Sequence, residues 1–254
     1  MLEFKNVSFK YENDCENIID HLSFTVEKGE FISIIGVSGC GKSTIFRLIN
    51  RLLSPSSGEI IVNQSPIVSC PKRSTSIPGY MPQKDLLFPW RTIEKNLWIP
   101  MELRHLSREE MRRRSDAVLK DMGLFNYRAK YPKDLSGGMR QRISFARTLL
   151  TDSELMLLDE PFSALDSLTR MAMQEWLLAQ WEHFHKTILF ITHDVEEAIF
   201  LSKKIFVVTK RPIQSLEVVE VPAVYPRSRE ILKQPEMIEL KEQLISQLRK
   251  QVNI

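Results

Sequence analysis

Residues 36–44 constrain the fold of this chain more than any other stretch. They read Gly-Val-Ser-Gly-Cys-Gly-Lys-Ser-Thr and match the phosphate-binding pattern G-x-x-x-x-G-K-[ST] at each specified position. The pattern needs a buried strand before it and a helix after it. The apolar run 31–35 predicts that strand, and residues 45–49 continue as the helix. The sequence therefore predicts an α/β fold with a nucleotide site where a strand meets a helix.

Each residue type in this loop has a physical reason. The three glycines permit backbone conformations in which successive N–H groups face a phosphate, beside the positive end of the next helix. Lys42 is expected to reach the β- and γ-phosphates, Ser43 to offer a hydroxyl to Mg²⁺, and Thr44 to reach the α-phosphate. The residues assigned to the nucleotide here are Gly36, Val37, Ser38, Gly39, Cys40, Gly41, Lys42, Ser43 and Thr44.

The composition predicts a soluble, cytosolic protein. With 254 residues, 43% of them hydrophobic, the chain is long enough for one large α/β domain and a smaller lobe. No apolar run approaches the roughly 20 residues that span a bilayer, and residues 1–5 do not begin a signal peptide. The net charge of +3 demands neither nucleic acid nor an anionic membrane surface.

The three cysteines, Cys15, Cys40 and Cys70, are odd in number and lack the spacing of metal ligands, which predicts reduced thiols. We interpret Cys40 as a loop residue that contributes its amide. A redox switch at Cys40 is the alternative.

Alternating apolar positions in the first forty residues predict a β-rich lobe. Tyr11 lies at a strand end, where it either stacks on adenine or merely packs. From about residue 84 to 129 the sequence becomes polar and helix-forming. There Ser107 to Glu110 predicts a capping box, with Ser107 as N-cap and Glu110 reaching back to it. The run 112–114 of three arginines is interpreted as a solvated helix face, with a nucleic-acid patch as the alternative.

Further candidate residues follow in the second half of the chain. Residues 135–142 place a serine and two glycines before a helix, which predicts a second N-terminus facing an anion. A buried strand ends at Asp159, placed for Mg²⁺, and at Glu160, placed to polarise a water. Another strand delivers His193 at its end, where ligands bind in open α/β sheets and where it would meet the γ-phosphate.

Taken together, these residues resemble the ATP-binding subunit of ATP-binding cassette (ABC) transporters over nearly the whole chain. The resemblance implies catalytic roles for Glu160, His193 and Gln83, and a Mg²⁺ shell of Ser43, Gln83 and Asp159. The matching elements are the aromatic-loop Tyr11, the Walker A loop 36–44, the Q-loop Gln83, the signature Leu135, Ser136, Gly137, Gly138 and Met139, the Walker B stretch 154–161, the D-loop 163–166 with Asp166, and the switch His193.

The family also implies an architecture. We expect one ABC ATPase domain over 1–254, a P-loop NTPase with a mostly parallel sheet. Its N-terminal antiparallel β lobe and RecA-like core take 1–83 and 150–215, the inserted helical subdomain takes 84–149, and a tail with a helix takes 216–254. In the family, the signature of one subunit closes over ATP held by the other, so the expected unit is a head-to-tail homodimer with two ATPs.

The expected partners are integral membrane permease subunits and, through them, an extracytoplasmic solute-binding protein, with no nucleic acid. The location implied is cytoplasmic, peripheral on the inner face of the membrane. Residues 86–93, 161–166 and the tail from Tyr225 look most like the nitrate, sulfonate and taurine importer group, whose relatives also carry thiamine pyrimidine precursors. Residues 63–65 depart from the Asp-Gly turn of many relatives, which leaves one hairpin uncertain.

Three rivals remain. A cassette ATPase acting on DNA or the ribosome usually carries a long coiled coil or two cassettes, and neither is present in this sequence. A phosphotransferase shares the phosphate loop but not the signature. An export pump usually carries its own membrane spans.

Leu86, Leu87, Phe88 and Trp90 crowd together just after Gln83, beside Pro89. We predict that some of them line a groove rimmed by Arg91 and Glu94 that receives a short amphipathic helix of the permease. The alternative is that they are core packing.

Overall fold

The computed structural model of the chain describes residues 1–12, 14–67 and 77–250. Cys70 and the predictions that concern it lie outside these residues. Cys15 is an exposed free cysteine and Cys40 a buried one. None of the helices among the described residues is long and apolar enough to cross a membrane.

A four-stranded antiparallel sheet opens the fold, as the alternating pattern predicted. Its strands are β1 (Leu2–Phe9), β2 (Ile19–Val26), β4 (Ser57–Val62) and β5 (Ser65–Pro66), in the order β2-β1-β4-β5. The apolar positions Leu2, Phe4, Val7 and Phe9 of β1 are all buried. The hairpin left uncertain by the sequence does form, since Val62 pairs with Ser65. Its two loop residues, Asn63 and Gln64, have φ of 51° and 63°, the conformation that two-residue hairpins require.

The second sheet has six strands and positions the candidate site. They are β3 (Phe31–Ile35), β6 (Gly79–Met81), β7 (Leu155–Asp159), β8 (Thr187–Ile191), β9 (Lys204–Val207) and β10 (Glu217–Glu220), in the order β10-β9-β3-β8-β7-β6. Every neighbouring pair except β10·β9 is parallel. Since β3, β8 and β7 are adjacent, their carboxyl ends share one edge, where ligands of open α/β sheets bind.

Seven α-helices surround the sheets in the described part of the chain. They are α1 (Lys42–Ile49), α2 (Ile93–Leu103), α3 (Arg108–Asp121), α4 (Gly137–Leu149), α5 (Ser167–Phe184), α6 (Val195–Leu201) and α7 (Pro235–Arg249). The predicted change from strands to helices after residue 84 is confirmed by α2, α3 and α4. The boundaries assigned to the lobes stay predictions.

The two faces of the six-stranded sheet bury different cores. On one face, Phe31, Leu158 and Phe190 join a cluster that continues into α2, α4 and α5. On the other, Ile32, Ile34 and Leu189 pack with α1 and the antiparallel sheet. The first cluster runs without interruption from the helices of residues 84–149 into the sheet.

The predicted capping box at the start of α3 is confirmed in one of its two contacts. Ser107 is the N-cap, and its Oγ accepts from the Glu110 N–H at 3.2 Å. The predicted return contact is wrong, because the Glu110 carboxylate instead accepts from Arg113 at 2.7 Å and Arg114 at 2.6 Å. Those bonds, that of Arg113 first, lower the pKa of Glu110 to about 2. Two guanidinium donors compete better than one backbone amide, and the pairing agrees with a solvated arginine face.

Candidate functional site

The phosphate loop joins β3 to α1 at the carboxyl edge of the sheet. Gly41, the N-cap of α1, has φ of 112°, and a Cβ there would lie 2.7 Å from Cγ2 of Ile18. Only glycine fits without strain. The N–H groups of Gly41, Lys42 and Ser43 donate to no group in the described part of the chain. They form an open cradle of donors at a helix N-terminus, which fits a phosphate.

The Lys42 side chain lies folded inside this loop. Its Nζ donates to the carbonyl oxygens of Gly36 and Val37, each at 2.9 Å, and lies 3.8 Å from Cys40 Sγ. The residue is buried, with 7% exposure. Among the described residues no carboxylate forms a salt bridge with it. A buried ammonium bonded only to neutral acceptors lacks its counter-charge, which phosphate oxygens supply.

Asp159, at the end of β7, faces the same loop. The Ser43 hydroxyl hydrogen-bonds its carboxylate, while burial raises its pKa. A hydroxyl and one carboxylate are the protein share of a Mg²⁺ site that phosphate oxygens and water complete. No group of three or more His, Cys, Asp or Glu side chains that could hold a metal without a ligand's help gathers in the described ranges. The donor set therefore suits Mg²⁺ bound together with a nucleotide.

Three residues predicted to be catalytic meet at one oxygen atom. Gln83, after β6, donates through Nε2 to Glu160 Oε2 at 3.1 Å, and His193 Nδ1, after β8, lies 3.4 Å from the same oxygen. No donor within the described residues bonds Glu160 Oε1. One carboxylate oxygen is therefore held, and the other is free to accept a proton.

The backbone of Glu160 explains how its side chain reaches this position. Glu160 has φ of 49°, an uncommon left-handed conformation for a residue with a side chain. Its N–H donates at 2.9 Å to the carbonyl of Ile191, the last residue of the neighbouring strand β8. The chain thus leaves β7 in a fixed turn that keeps Glu160 beside the ends of β6 and β8.

Gln141 is a site residue that sequence reasoning missed. Its Nε2 donates to the Glu160 carbonyl and to Ser163 Oγ, both at 3.1 Å, and its Oε1 accepts from the Ala164 N–H at 2.8 Å. One buried amide thus ties α4 to the segment that carries Glu160. The sequence offered one sign of this role: Gln141 lies four positions before Phe145 and therefore shares a helix face with it. In the structure that face of α4 is buried.

The signature residues lie apart from the phosphate loop. Ser136 is the N-cap of α4, and its Oγ accepts from the Met139 N–H at 3.3 Å. Leu135 is buried, whereas Ser136 and Gly137 are exposed. A Cβ on Gly138 would touch Leu165 at 3.1 Å, so this glycine packs on the D-loop. No hydrogen bond or salt bridge within the described residues joins 135–139 to 36–44.

Two further predicted residues have structural partners. The Tyr11 hydroxyl lies 3.2 Å from both Thr44 Oγ1 and Arg47 NH1, and its ring packs edge-on against Phe9. The structure therefore places Tyr11 at the loop, packed as a strand-end residue. Asp166 is the N-cap of α5, with Oδ1 accepting from Thr169 at 3.0 Å.

A strand, phosphate loop and helix, with Asp159 and Glu160 ending a nearby parallel strand, define the class of P-loop nucleoside triphosphatases. Within that class, a family model described as "ABC transporter" matches residues 19–163. The chain belongs to the ABC transporter family.

Similar proteins agree with this assignment. The formylaminopyrimidine import ATP-binding protein ThiZ of Halalkalibacterium halodurans is 42% identical, over 91% of this chain and 88% of the relative. The aliphatic sulfonates import ATP-binding protein SsuB of Bacillus cereus is 38% identical, over 87% of this chain and 85% of the relative. A solved structure of the dimeric ATP-binding cassette MJ0796, in a post-hydrolysis state bound to ADP and Pi, is 27% identical. It superposes with a TM-score of 0.78 over 88% of this chain and 100% of that chain.

Proposed function

We propose that this chain is the ATP-binding and ATP-hydrolysing subunit of an ABC importer. The observation that carries the proposal is the meeting of Gln83, Glu160 and His193 at the sheet edge beside an open phosphate cradle. The loop amides and Lys42 bind the phosphates. Ser43 and Asp159 would hold Mg²⁺, which when bound supplies charge neutralisation at the phosphate oxygens.

In hydrolysis, Glu160 is the proton acceptor. Gln83 holds the carboxylate through Oε2, beside which His193 lies, so Oε1 is the atom that takes a proton from a water directed at the γ-phosphate. His193 also faces the γ-phosphate with its exposed imidazole. Gln141 holds the Glu160 carbonyl and so fixes the orientation of the carboxylate.

The nucleotide site is completed by a second copy of the chain. Among the described residues no hydrogen bond or salt bridge joins the signature to the phosphate loop of the same chain, and Ser136 and Gly137 are exposed at a helix N-terminus. A head-to-tail homodimer brings this end onto the ATP of the partner, together with Asp166. The dimeric state of MJ0796 supports the arrangement.

The permease docks at a groove on the helical lobe. Trp90 is 71% exposed, and its ring lies 5.2 Å from that of Phe88. Leu87, in contrast, is buried in the core, so the core-packing alternative holds for that residue. The groove lining includes Arg91, as predicted, but not Glu94. It consists of Trp90, Arg91, Lys95, Trp98, Glu102, Arg108 and Met111.

The loop that carries Trp90 has its own support. Asn96 is fully buried and its amide accepts from the Phe88 N–H and donates to the carbonyls of Phe88, Arg91 and Thr92. Trp90 is therefore not needed to hold the loop. An exposed indole on a rigid loop suits an amphipathic helix of a membrane partner.

Replacing the exposed indole tests the docking groove. We expect Trp90→Ala to leave the melting temperature and ATP affinity unchanged and to abolish copurification with the permease. Leu103→Ala is the matched control, since Leu103 is 77% exposed at the end of α2, the helix that follows the Trp90 loop, but does not line the groove. Normal copurification of Trp90→Ala would place the docking surface elsewhere.

The solute belongs to the nitrate, sulfonate and taurine class or to the pyrimidine precursors of thiamine. Relatives named as import proteins for aliphatic sulfonates and for formylaminopyrimidine support two members of this set. The solute is delivered by an extracytoplasmic binding protein, and the ATPase works at the cytoplasmic face of the membrane without nucleic acid. The test is ATP hydrolysis by the purified complex with its permease and binding protein, titrated with nitrate, taurine, an alkanesulfonate and a formylaminopyrimidine. We expect one of them to stimulate hydrolysis. Stimulation by DNA or ribosomes alone would favour the cassette ATPases that do not transport.

A further inference from the structure

The C-terminal brace, defined here as residues 225–244, holds the helix that follows His193. That helix, α6, has only seven residues and would not be stable alone. Its carboxyl end is capped by Arg227, whose NH1 donates to the carbonyls of Ile199 at 3.0 Å and Ser202 at 2.8 Å. The Tyr225 hydroxyl donates to another carbonyl of the same helix end, that of Leu201, at 2.9 Å. A cation at the carboxyl end of a helix also interacts favourably with the negative end of the helix dipole.

The amino end of α6 is held as well. Lys241 of α7 forms a salt bridge with Glu196, in the first turn of α6. Between the two ends, α7 packs its apolar face on α6 through Met237, Leu240 and Leu244. The brace therefore fixes α6 along its whole length.

A chain of buried and partly buried hydrogen bonds continues from the brace to the residue before His193. Arg229 donates to Gln174 Oε1. Gln174 Nε2 donates to Glu197 Oε1 at 2.6 Å, and the Thr192 hydroxyl donates to Glu197 Oε2 at 2.5 Å. Thr192 Oγ1 in turn accepts from the Asp194 N–H at 3.0 Å.

The direction of every bond in this chain is fixed by the donor capacity of its members. Because a guanidinium only donates, Gln174 must present its oxygen to Arg229 and its NH₂ group to Glu197. The Thr192 hydroxyl gives its single proton to Glu197, so it meets the Asp194 N–H as an acceptor. Glu197 and Gln174 are buried, with 7% and 3% exposure, so a mismatch at one link leaves a buried group unsatisfied.

His193 lies between the two residues that end this chain. The backbone on both sides is fixed, while the imidazole is 63% exposed and contacts Glu160. We propose that the C-terminal brace positions His193, with Arg229, Gln174 and Glu197 as positioning residues. The proposal rests on the proposed role of His193 at the γ-phosphate and adds the element that sets its place.

The test follows the imidazole itself. The purified protein, labelled with ¹³C in its five histidines, gives imidazole NMR signals in which His193→Gln identifies that of His193. In Arg229→Met we expect this signal to shift or split while the other four stay in place. ATP affinity should change less than twofold, and turnover at saturating ATP should fall about tenfold, as for a catalytic group displaced by a fraction of an ångström.

Two further variants control the experiment. Arg229→Lys keeps a donor for Gln174 and should recover most of the wild-type signal. Lys233→Met removes an exposed salt bridge with Glu230 on the same brace and should move no histidine signal.

An unmoved His193 signal in folded Arg229→Met overturns the proposal, and so does an equal shift of all five signals. Should Arg229→Met not fold, Glu197→Gln decides. It has the same shape but sets a donor against Gln174 or Thr192, and an unmoved His193 signal there also overturns the proposal. If His193→Gln hydrolyses ATP normally while the brace variants still shift the signal, the role of His193 is wrong and the brace stands.

Discussion

The phosphate loop and the signature segment are both glycine-containing turns that lead into a helix N-terminus, yet they differ in how they pack against the rest of the chain. The helix end of the loop packs against its own chain: Lys42 is buried, and the Ser43 hydroxyl reaches Asp159 at the end of β7. Ser136 and Gly137 of the signature are open to solvent. One segment is shaped for a ligand by the sheet behind it, whereas the other has a free face that only another molecule covers.

The two regions also differ in how their glycines are used. Gly41 needs a left-handed backbone and has Ile18 at 2.7 Å from its missing Cβ. A Cβ added at Gly137 would meet only the guanidinium of Arg140, at an ordinary contact distance of 3.8 Å. The first glycine is required by its own chain, and the second leaves room for a partner.

The largest expected effect comes from removing the proton acceptor, Glu160, which lies beside the phosphate loop. Glu160→Gln should lower ATP hydrolysis by about 10²-fold or more, the loss expected for a positioned base. ATP binding should remain, because the cradle is untouched. Phosphate release with the permease present and ATP titration measure the two quantities, and near-normal turnover would remove Glu160 from this role.

The second expected effect concerns the signature segment, residues 135–139. With ATP, the Glu160→Gln protein should become dimeric, and adding Ser136→Arg should return it to a monomer through steric and charge intrusion at the partner's site. Ser136→Ala is the control, since it removes the N-cap, worth about 1 kcal/mol, without filling the interface.

Light scattering at high protein and ATP concentration distinguishes these states. A dimer that persists with Ser136→Arg would break the comparison, because the signature would then not be a docking face.

The smallest effect comes from the same substitution made in both regions. Gly41→Ala should destabilise the protein by about 1–3 kcal/mol, the strain of a side chain at such a φ, and weaken ATP binding. Gly137→Ala should change the free energy of unfolding by less than about 0.5 kcal/mol and leave ATP binding by the monomer intact. Urea unfolding and ATP titration measure both variants. Equal losses in the two would show that the regions do not differ as described.

Local structure was predictable from the sequence wherever local rules decide it. The strand 31–35, the helix after the loop and the N-cap Ser107 follow from periodicity and capping and are confirmed. The return bond from Glu110 was mispredicted, because two nearby arginines compete for its carboxylate.

The polar networks were not predictable. Gln141 bonds residues 19 to 23 positions away, and Gln174 joins Glu197 and Arg229 over separations of 23 and 55. No spacing rule connects such partners, since the contacts depend on how α4, α5 and the brace pack on the sheet. Glutamine also carries no pattern of its own in a sequence. The one sign that the sequence offers for such a network is a polar residue at a position that helical spacing places among apolar ones, since a buried polar group needs a hydrogen-bond partner.

The amide of Gln141 has a mechanical consequence. Its three bonds link α4 to residues 160–164 without passing through the intervening chain. In the proposed dimer the partner contacts Ser136, at the N-terminus of the same helix, so we expect a shift of α4 on dimerisation to reach Glu160 through Gln141. Arrival of the partner and alignment of the proton acceptor would then be one event.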